Sequence, residues 1–194
     1  MKTFALAAAF GFAVATAAHA APVTVDFEGF ADGTDLTGAT IGMMTLSAGG
    51  ETIEVTSNVP GGGSSRSINT NPFSGTNLFR ADFSTSITAF SVDLGDFGPS
   101  DDDLLTIAAY TSGGTLLDSN SFQYGTAGSY LHTMSVAAAN IGYVLFGGGS
   151  QQFPQSVFAD NITYSAAVST VPLPAGGLLL LSGLGAFAAS RRRK

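Results

Sequence analysis

Ile87-Thr-Ala-Phe-Ser-Val-Asp-Leu94 is the stretch whose reading decides the fold. Within it Phe90, Val92 and Leu94 alternate with Ser91 and Asp93. A two-residue period places the apolar set on one face of an extended strand and the polar set on the other. The strand therefore has one buried face and one wet face.

Outward from that strand, the chain between Val23 and Tyr164 continues as short β-rich runs separated by Gly, Ser, Asn, Asp and Pro, without helical periodicity. The expected strands lie near Val23–Phe27, Met43–Ser47, Thr52–Thr56, Asn77–Phe83, Ile87–Leu94, Leu104–Tyr110, Thr115–Gln123, Tyr130–Val136, Ile141–Phe146 and Val157–Tyr164. Such a series predicts an all-β protein, an antiparallel β-sandwich of jelly-roll-like form. Tyr110-Thr-Ser-Gly-Gly-Thr115 reads as a hairpin, because paired glycines supply the positive φ of a tight turn. Ser57 to Thr76, with its Pro60-Gly-Gly-Gly-Ser-Ser65 run, is a long loop, and Gly147-Gly-Gly-Ser150 reads as a turn or loop. No Lys-Ser/Thr follows these glycines, so a phosphate-binding loop is excluded.

The ends carry a different signal. Met1 to Ala20 has a basic Lys2, an apolar run and Ala18-His19-Ala20, the three parts of a cleavable signal peptide cut between Ala20 and Ala21. At the other end, an uncharged stretch from Leu173 to Ser190 precedes Arg191, Arg192, Arg193 and Lys194. At about 1.5 Å per residue it makes roughly 27 Å of helix, enough for a transmembrane span, and the basic cluster acts as a stop-transfer signal on the cytoplasmic side. Ser165 to Thr170 is a small, polar linker.

Val171-Pro172-Leu173-Pro174-Ala175, followed by the apolar stretch and the basic terminus, resembles the VPLPA variant of the PEP-CTERM sorting signals of Gram-negative bacteria. The resemblance implies recognition of this motif by an exosortase-type membrane enzyme that removes the tail. It also implies a destination at the cell surface or in the extracellular matrix, often beside exopolysaccharide. Activity is left open by it.

Trimming both ends leaves about 150 residues, one domain with a substantial core. Of seven Lys and Arg, Lys2 and the terminal four are lost, so Arg66 and Arg80 face fourteen Asp and Glu, a formal charge of −12. That balance argues against nucleic acid or anionic lipid as partners and suits divalent cations. With no cysteine, disulfides and thiol chemistry are excluded.

Few residues offer chemistry. Val23, Val25 and Phe27 share one face of the first strand, with Thr24, Asp26 and Glu28 on the other. An unbroken last strand puts Asp160 on the side of Phe158, Ile162 and Tyr164, where a carboxylate is costly unless it meets a cation or hydrogen-bond donors. Glu28 with Asp160-Asn161 resembles the arrangement in many carbohydrate-binding jelly rolls, where a structural calcium links the first and last strands. Calcium takes six to eight oxygens, so Asp26, Asp32, Asp35 or backbone carbonyls would supplement the pair. The alternatives are a β-bulge that turns Asp160 to solvent, or a salt bridge to Arg80. Asp93, Asp96, Asp101, Asp102 and Asp103 fit no EF-hand spacing and read as a solvated acidic loop. His132, the one histidine left after trimming, lacks a Gly-x-Ser-x-Gly elbow and reads as structural. No catalytic residue is assigned. The expected function is non-catalytic binding of glycan or protein. The alternatives are a hydrolase using paired carboxylates, with Glu28 and Glu51 as candidates, or a passive matrix component. Without Trp, sugar stacking would fall to Phe73, Tyr110, Tyr124 or Tyr130.

Overall fold

The computed structural model describes residues 20–57, 65–71, 77–96, 103–123, 131–150, 156–167 and 191. Ala20–Ala167 form one compact unit. The signal-peptide stretch 1–19 and the sorting tail lie outside the described residues, except Arg191, which is exposed. Among the described residues no helix is long and apolar enough to cross a membrane.

Among the described residues the unit is an antiparallel β-sandwich of ten strands: β1 (Val23–Val25), β2 (Thr40–Ile41), β3 (Met44–Ser47), β4 (Thr52–Thr56), β5 (Ser67–Asn71), β6 (Phe79–Asp96), β7 (Leu104–Tyr110), β8 (Leu116–Gln123), β9 (Leu131–Gly149) and β10 (Val157–Ala166). Two of them are long. β6 joins the expected Asn77–Phe83 and Ile87–Leu94 strands, and β9 joins Tyr130–Val136 and Ile141–Phe146. Their mutual pairing breaks register between Asp82 and Ala89. Asn140 sits near that break with φ 63°. Strands that bend at such irregularities pass from one layer of a sandwich to the other.

One layer is therefore β4-β5-β10 with the C-terminal half of β6 and the N-terminal half of β9, and β1 lies beside β10. The other is β2-β3, the N-terminal half of β6, the C-terminal half of β9, then β7 and β8. β5 falls inside the segment expected to be loop, and it pairs with β4 along its whole length. The β7–β8 hairpin is as expected, with Gly114 at φ 87° and Thr111 N donating to Thr115 O at 2.9 Å.

The layers enclose one core. Phe90, Val92 and Leu94 are at most 1% exposed, as their alternation predicted. Phe90 meets Phe146 at 5.4 Å and Phe83 at 6.1 Å between ring centroids, and Phe83 meets Tyr164 at 5.2 Å. Aromatic pairs at this spacing add to the burial that holds the layers together. Asn140→Val is expected to destabilise by about 1–2 kcal/mol in urea unfolding, because a β-branched residue tolerates the left-handed region poorly. Asn140→Gly should be close to neutral.

Candidate functional site

A bulge decides where the last strand's carboxylate goes. Asp160 pairs with Asp93 and Thr163 with Ser91, so β10 carries one residue more than β6 between these points. Asn161, within the bulge, has φ 49°. The extra residue reverses the alternation. Ile162 and Tyr164 face the core beside Val25 and Phe90, whereas Asp160 faces the opposite side with Asp93. The expectation of a shared side for Asp160, Ile162 and Tyr164 is corrected, since it assumed an unbroken period. The bulge does not turn Asp160 to solvent, because it is only 4% exposed. Nor does Arg80 reach it: that guanidinium holds Asp82 through two bonds of 2.7 and 2.6 Å.

Glu28 converges on the same point. Ser65 Oγ lies 2.9 Å from Glu28 Oε1 and 3.2 Å from Asp160 Oδ2, and its single proton serves one of them at a time. Arg66 gives Glu28 its backbone N–H at 2.8 Å and turns its guanidinium to Asp32 at 3.3 Å. The Arg66 N–H, then the Ser65 hydroxyl, hold Glu28 below the usual carboxylate range. Burial pushes Asp160 up to about 6, with Asp93 and Glu28 adding like-charge repulsion against hydrogen bonds from Asn161 and Ser65. Ser67, one step from the Ala159–Ile68 pair, lies on Asp160's side of the sheet. It is 1% exposed, and its hydroxyl has no hydrogen-bond partner among the described residues.

The expected supplementary ligands are committed elsewhere. Asp26 accepts from Glu28 N at 3.3 Å, Asp32 from Ser57 N at 2.6 Å and Asp35 from Thr37 N at 2.8 Å. Hydrogen bonds from Ser57 and Thr37 lower the Asp32 and Asp35 carboxyls respectively. Among the described residues no three His, Asp or Glu gather at one point. A cation here would rely on Glu28, Asp160, hydroxyls and backbone carbonyls.

Along the same outward face runs a groove of about 410 Å³. Its floor follows the strand pairing: Ala137, Ala89 and Ser165 form one row, and Ser135, Ser91 and Thr163 the next. Every one of these side chains is small. Neighbouring elements supply the banks, Pro22 before β1 and Asp118 from β8. Asp118 is fixed there by accepting from Ala137 N through one oxygen and from Ser119 N through the other, both at 2.9 Å. A third row continues the face, where Asp93 accepts from Thr133 Oγ1 at 2.5 Å and from Asn161 Nδ2 at 2.9 Å. The groove was not legible in the sequence beyond the wet Ser91 and Asp93. It arises because three separate strands all place small residues on one face.

The remaining candidates disperse. His132 stacks on Phe122 with ring centroids 3.6 Å apart, and Tyr110 stacks on Tyr143 at 4.9 Å. Glu51 accepts from Asn77 Nδ2 at 3.0 Å. Asp103 is fully buried and takes a hydrogen bond from Ser156 Oγ at 3.2 Å, which corrects its reading as part of a solvated loop. Asp101, Asp102, Phe73, Tyr124, Tyr130, Val171–Ala175 and Arg192–Lys194 lie outside the described residues. Ala20 is half-buried and Ala21 exposed, just before β1.

No family model and no curated protein matches the chain. Among solved structures it is similar to the tandem CBM22 domain of Paenibacillus barcinonensis Xyn10C, at 15% identity and a TM-score of 0.49 over 83% of this chain and 50% of that one. A second is the K1 cleaved adhesin domain of Lys-gingipain from Porphyromonas gingivalis W83, at 11% identity and a TM-score of 0.48 over 76% and 99%. A third is the α-L-arabinofuranosidase MgGH51, at 14% identity and a TM-score of 0.47, of which this chain spans 25%. With every one of these TM-scores under 0.5, the fold assignment rests on the strand pairing and burial described above.

Proposed function

We propose that the chain is an exported surface or matrix protein whose sandwich binds glycan in the groove over β10, β6 and β9, without catalysis. The observation that carries this reading is the groove itself. Small methyl and hydroxyl side chains open a shallow track on a rigid sheet, and Asp118 at its bank offers acceptors to sugar hydroxyls. Glu28 and Glu51 lie outside its lining, which favours binding over hydrolysis by paired carboxylates. The producer's own exopolysaccharide is the natural first ligand to try.

Calcium belongs to the other part of this face. Glu28 and Asp160 would hold it together with the Ser65 oxygen, tying the turn after β1 to β10 in a structural role. Two carboxylates sharing one hydroxyl, one of them buried, support that reading. Export rests on the sequence pattern: signal peptidase between Ala20 and Ala21, the exosortase-type enzyme at Val171–Ala175, and the membrane as a transient anchor. Val23 pairs with Tyr164, and the whole β1–β10 ladder lies between Ala21 and Val171, so cutting at either site leaves the ladder whole.

Ala137→Trp tests the groove, because Ala137 is exposed and the indole would fill the track. Co-sedimentation with exopolysaccharide should weaken at least about ten-fold while the melting temperature stays unchanged. Unaltered co-sedimentation would remove the groove as the binding site.

A further inference from the structure

We infer that the groove selects glycans bearing free amino groups, of the glucosamine type, over neutral or acidic chains; this rests on the groove being the glycan site. An ionised carboxylate has about four acceptor positions and no donor. Asp118 uses one position on each oxygen for Ala137 N and Ser119 N, and Asp93 uses two for Thr133 and Asn161. Both therefore retain acceptor capacity; Asp118 lines the groove, and Asp93 lies one row beyond its lining on the same face. A ligand that fits them must bring donors.

Charge points the same way. Between the two processed ends, the only Lys or Arg side chains are Arg66 and Arg80. Arg66 is paired with Asp32, and Arg80 with Asp82 on the other layer, where it also lies 3.7 Å over the Tyr143 ring. Neither lines the groove. An ammonium group carries three donors and a positive charge, matching both needs. An N-acetyl group replaces these with one donor and an added acceptor. A uronate brings acceptors and a repulsive charge to a segment, Ala21 to Thr170, already at −12, by the count of two cations against fourteen anions.

Spacing supports a chain rather than a single sugar. The Ser91 and Asp93 rows are two residues apart along β6, about 7 Å, and Asp118 stands beside the Ala137 row at the other end. Successive units of a linear glycan would thus meet a carboxylate at either end and hydroxyls between them. The six floor side chains are Ala, Ser and Thr, which suit the flat run of a glycan chain better than the long side chains of a basic peptide.

The experiment is calorimetric titration of the purified full chain with hexamers of glucosamine, N-acetylglucosamine and galacturonic acid, at low and high salt. The glucosamine hexamer should bind about ten-fold more tightly than the N-acetylated one at low salt, and high salt should erase most of that preference. Ser135→Lys, at an exposed floor position, should abolish the preference without lowering the melting temperature. Asp118→Asn should reduce it several-fold. Equal or tighter binding of the N-acetylated or acidic hexamer would overturn the inference, as would equal affinity for oligolysine. If a neutral hexamer binds and Ala137→Trp abolishes that binding, the groove reading stands and only the amino-group preference fails. If no hexamer binds, both fail.

Discussion

Asp160→Asn should make the calcium-free protein more stable at pH 7, by up to about 3 kcal/mol. The Asp160 carboxyl is pushed up to about 6 from its ordinary 3.8, mainly because burial penalises its charged form. Roughly two pKa units at about 1.4 kcal/mol each set the size. For the sign, the folded state binds this proton more tightly than the unfolded state does. The associated stability is complete below about 3.8 and is lost as pH rises through about 6. Asn cannot ionise, so the stability difference between variant and wild type should grow from about zero near pH 4 to its full value above pH 6. Glu28, Asp32 and Asp35, whose carboxyls are lowered, act oppositely by losing their contribution on acidification. They are common to both proteins and cancel in the difference. Calcium should reverse the order. Wild type would gain about 4.1 kcal/mol at a thousand times its dissociation constant, more than the variant's advantage, and the variant little. Urea unfolding across pH, with calcium or EDTA, reads all of this. A wild type indifferent to calcium would remove the metal and leave the pH dependence, whereas a flat pH difference would remove the buried charge itself.

The same residue shows where sequence reasoning reaches its limit. That Asp160 needs a special environment followed from residue type, and that Glu28 shares it was implied by the resemblance to carbohydrate-binding jelly rolls; the face Asp160 occupies followed from neither. One added residue at Asn161 moves every preceding side chain to the other side of the sheet, and nothing in Ala-Asp-Asn-Ile announces the bulge. The corners of β6 and β9 escaped for a related reason. Ser84-Thr-Ser86 and Ala137 to Asn140 look like turns between strands, and locally they are bends, but the ladder resumes beyond each with the same partner. Alternation records which face is buried, as Phe90, Val92 and Leu94 show. It cannot record whether a chain that turns has changed partner. The groove was hidden more deeply, because Ala89, Ser135 and Thr163 acquire meaning only once they are neighbours.

Gly148→Ala should cost more than about 3 kcal/mol in urea unfolding, although the glycine run read from sequence as a loop. Gly147 to Gly149 are in fact the end of β9, paired with Leu104 to Thr106 of β7. Gly148 has φ +150°, and a Cβ there would collide with the Leu104 carbonyl oxygen and stand 2.9 Å from Leu105 Cα. These are backbone atoms of a paired strand, so no side chain can rotate away to make room. Relief requires β7 to move off β9, which withdraws Leu105, Ile107 and Ala109 from the core, each at most 1% exposed. Gly113→Ala is the control, because a Cβ there meets only Thr111 Oγ1 at 3.8 Å, and it should change stability by less than about 0.5 kcal/mol. Equal stability of the two variants would mean the β7–β9 approach is looser than described. The effect should also reach the ligand. β7 carries β8 through its whole ladder, and β8 supplies Asp118 to the bank of the groove. A variant that loosens β7 should therefore weaken glycan binding even where the chain remains folded, by displacing a carboxylate held in place by Ala137 N.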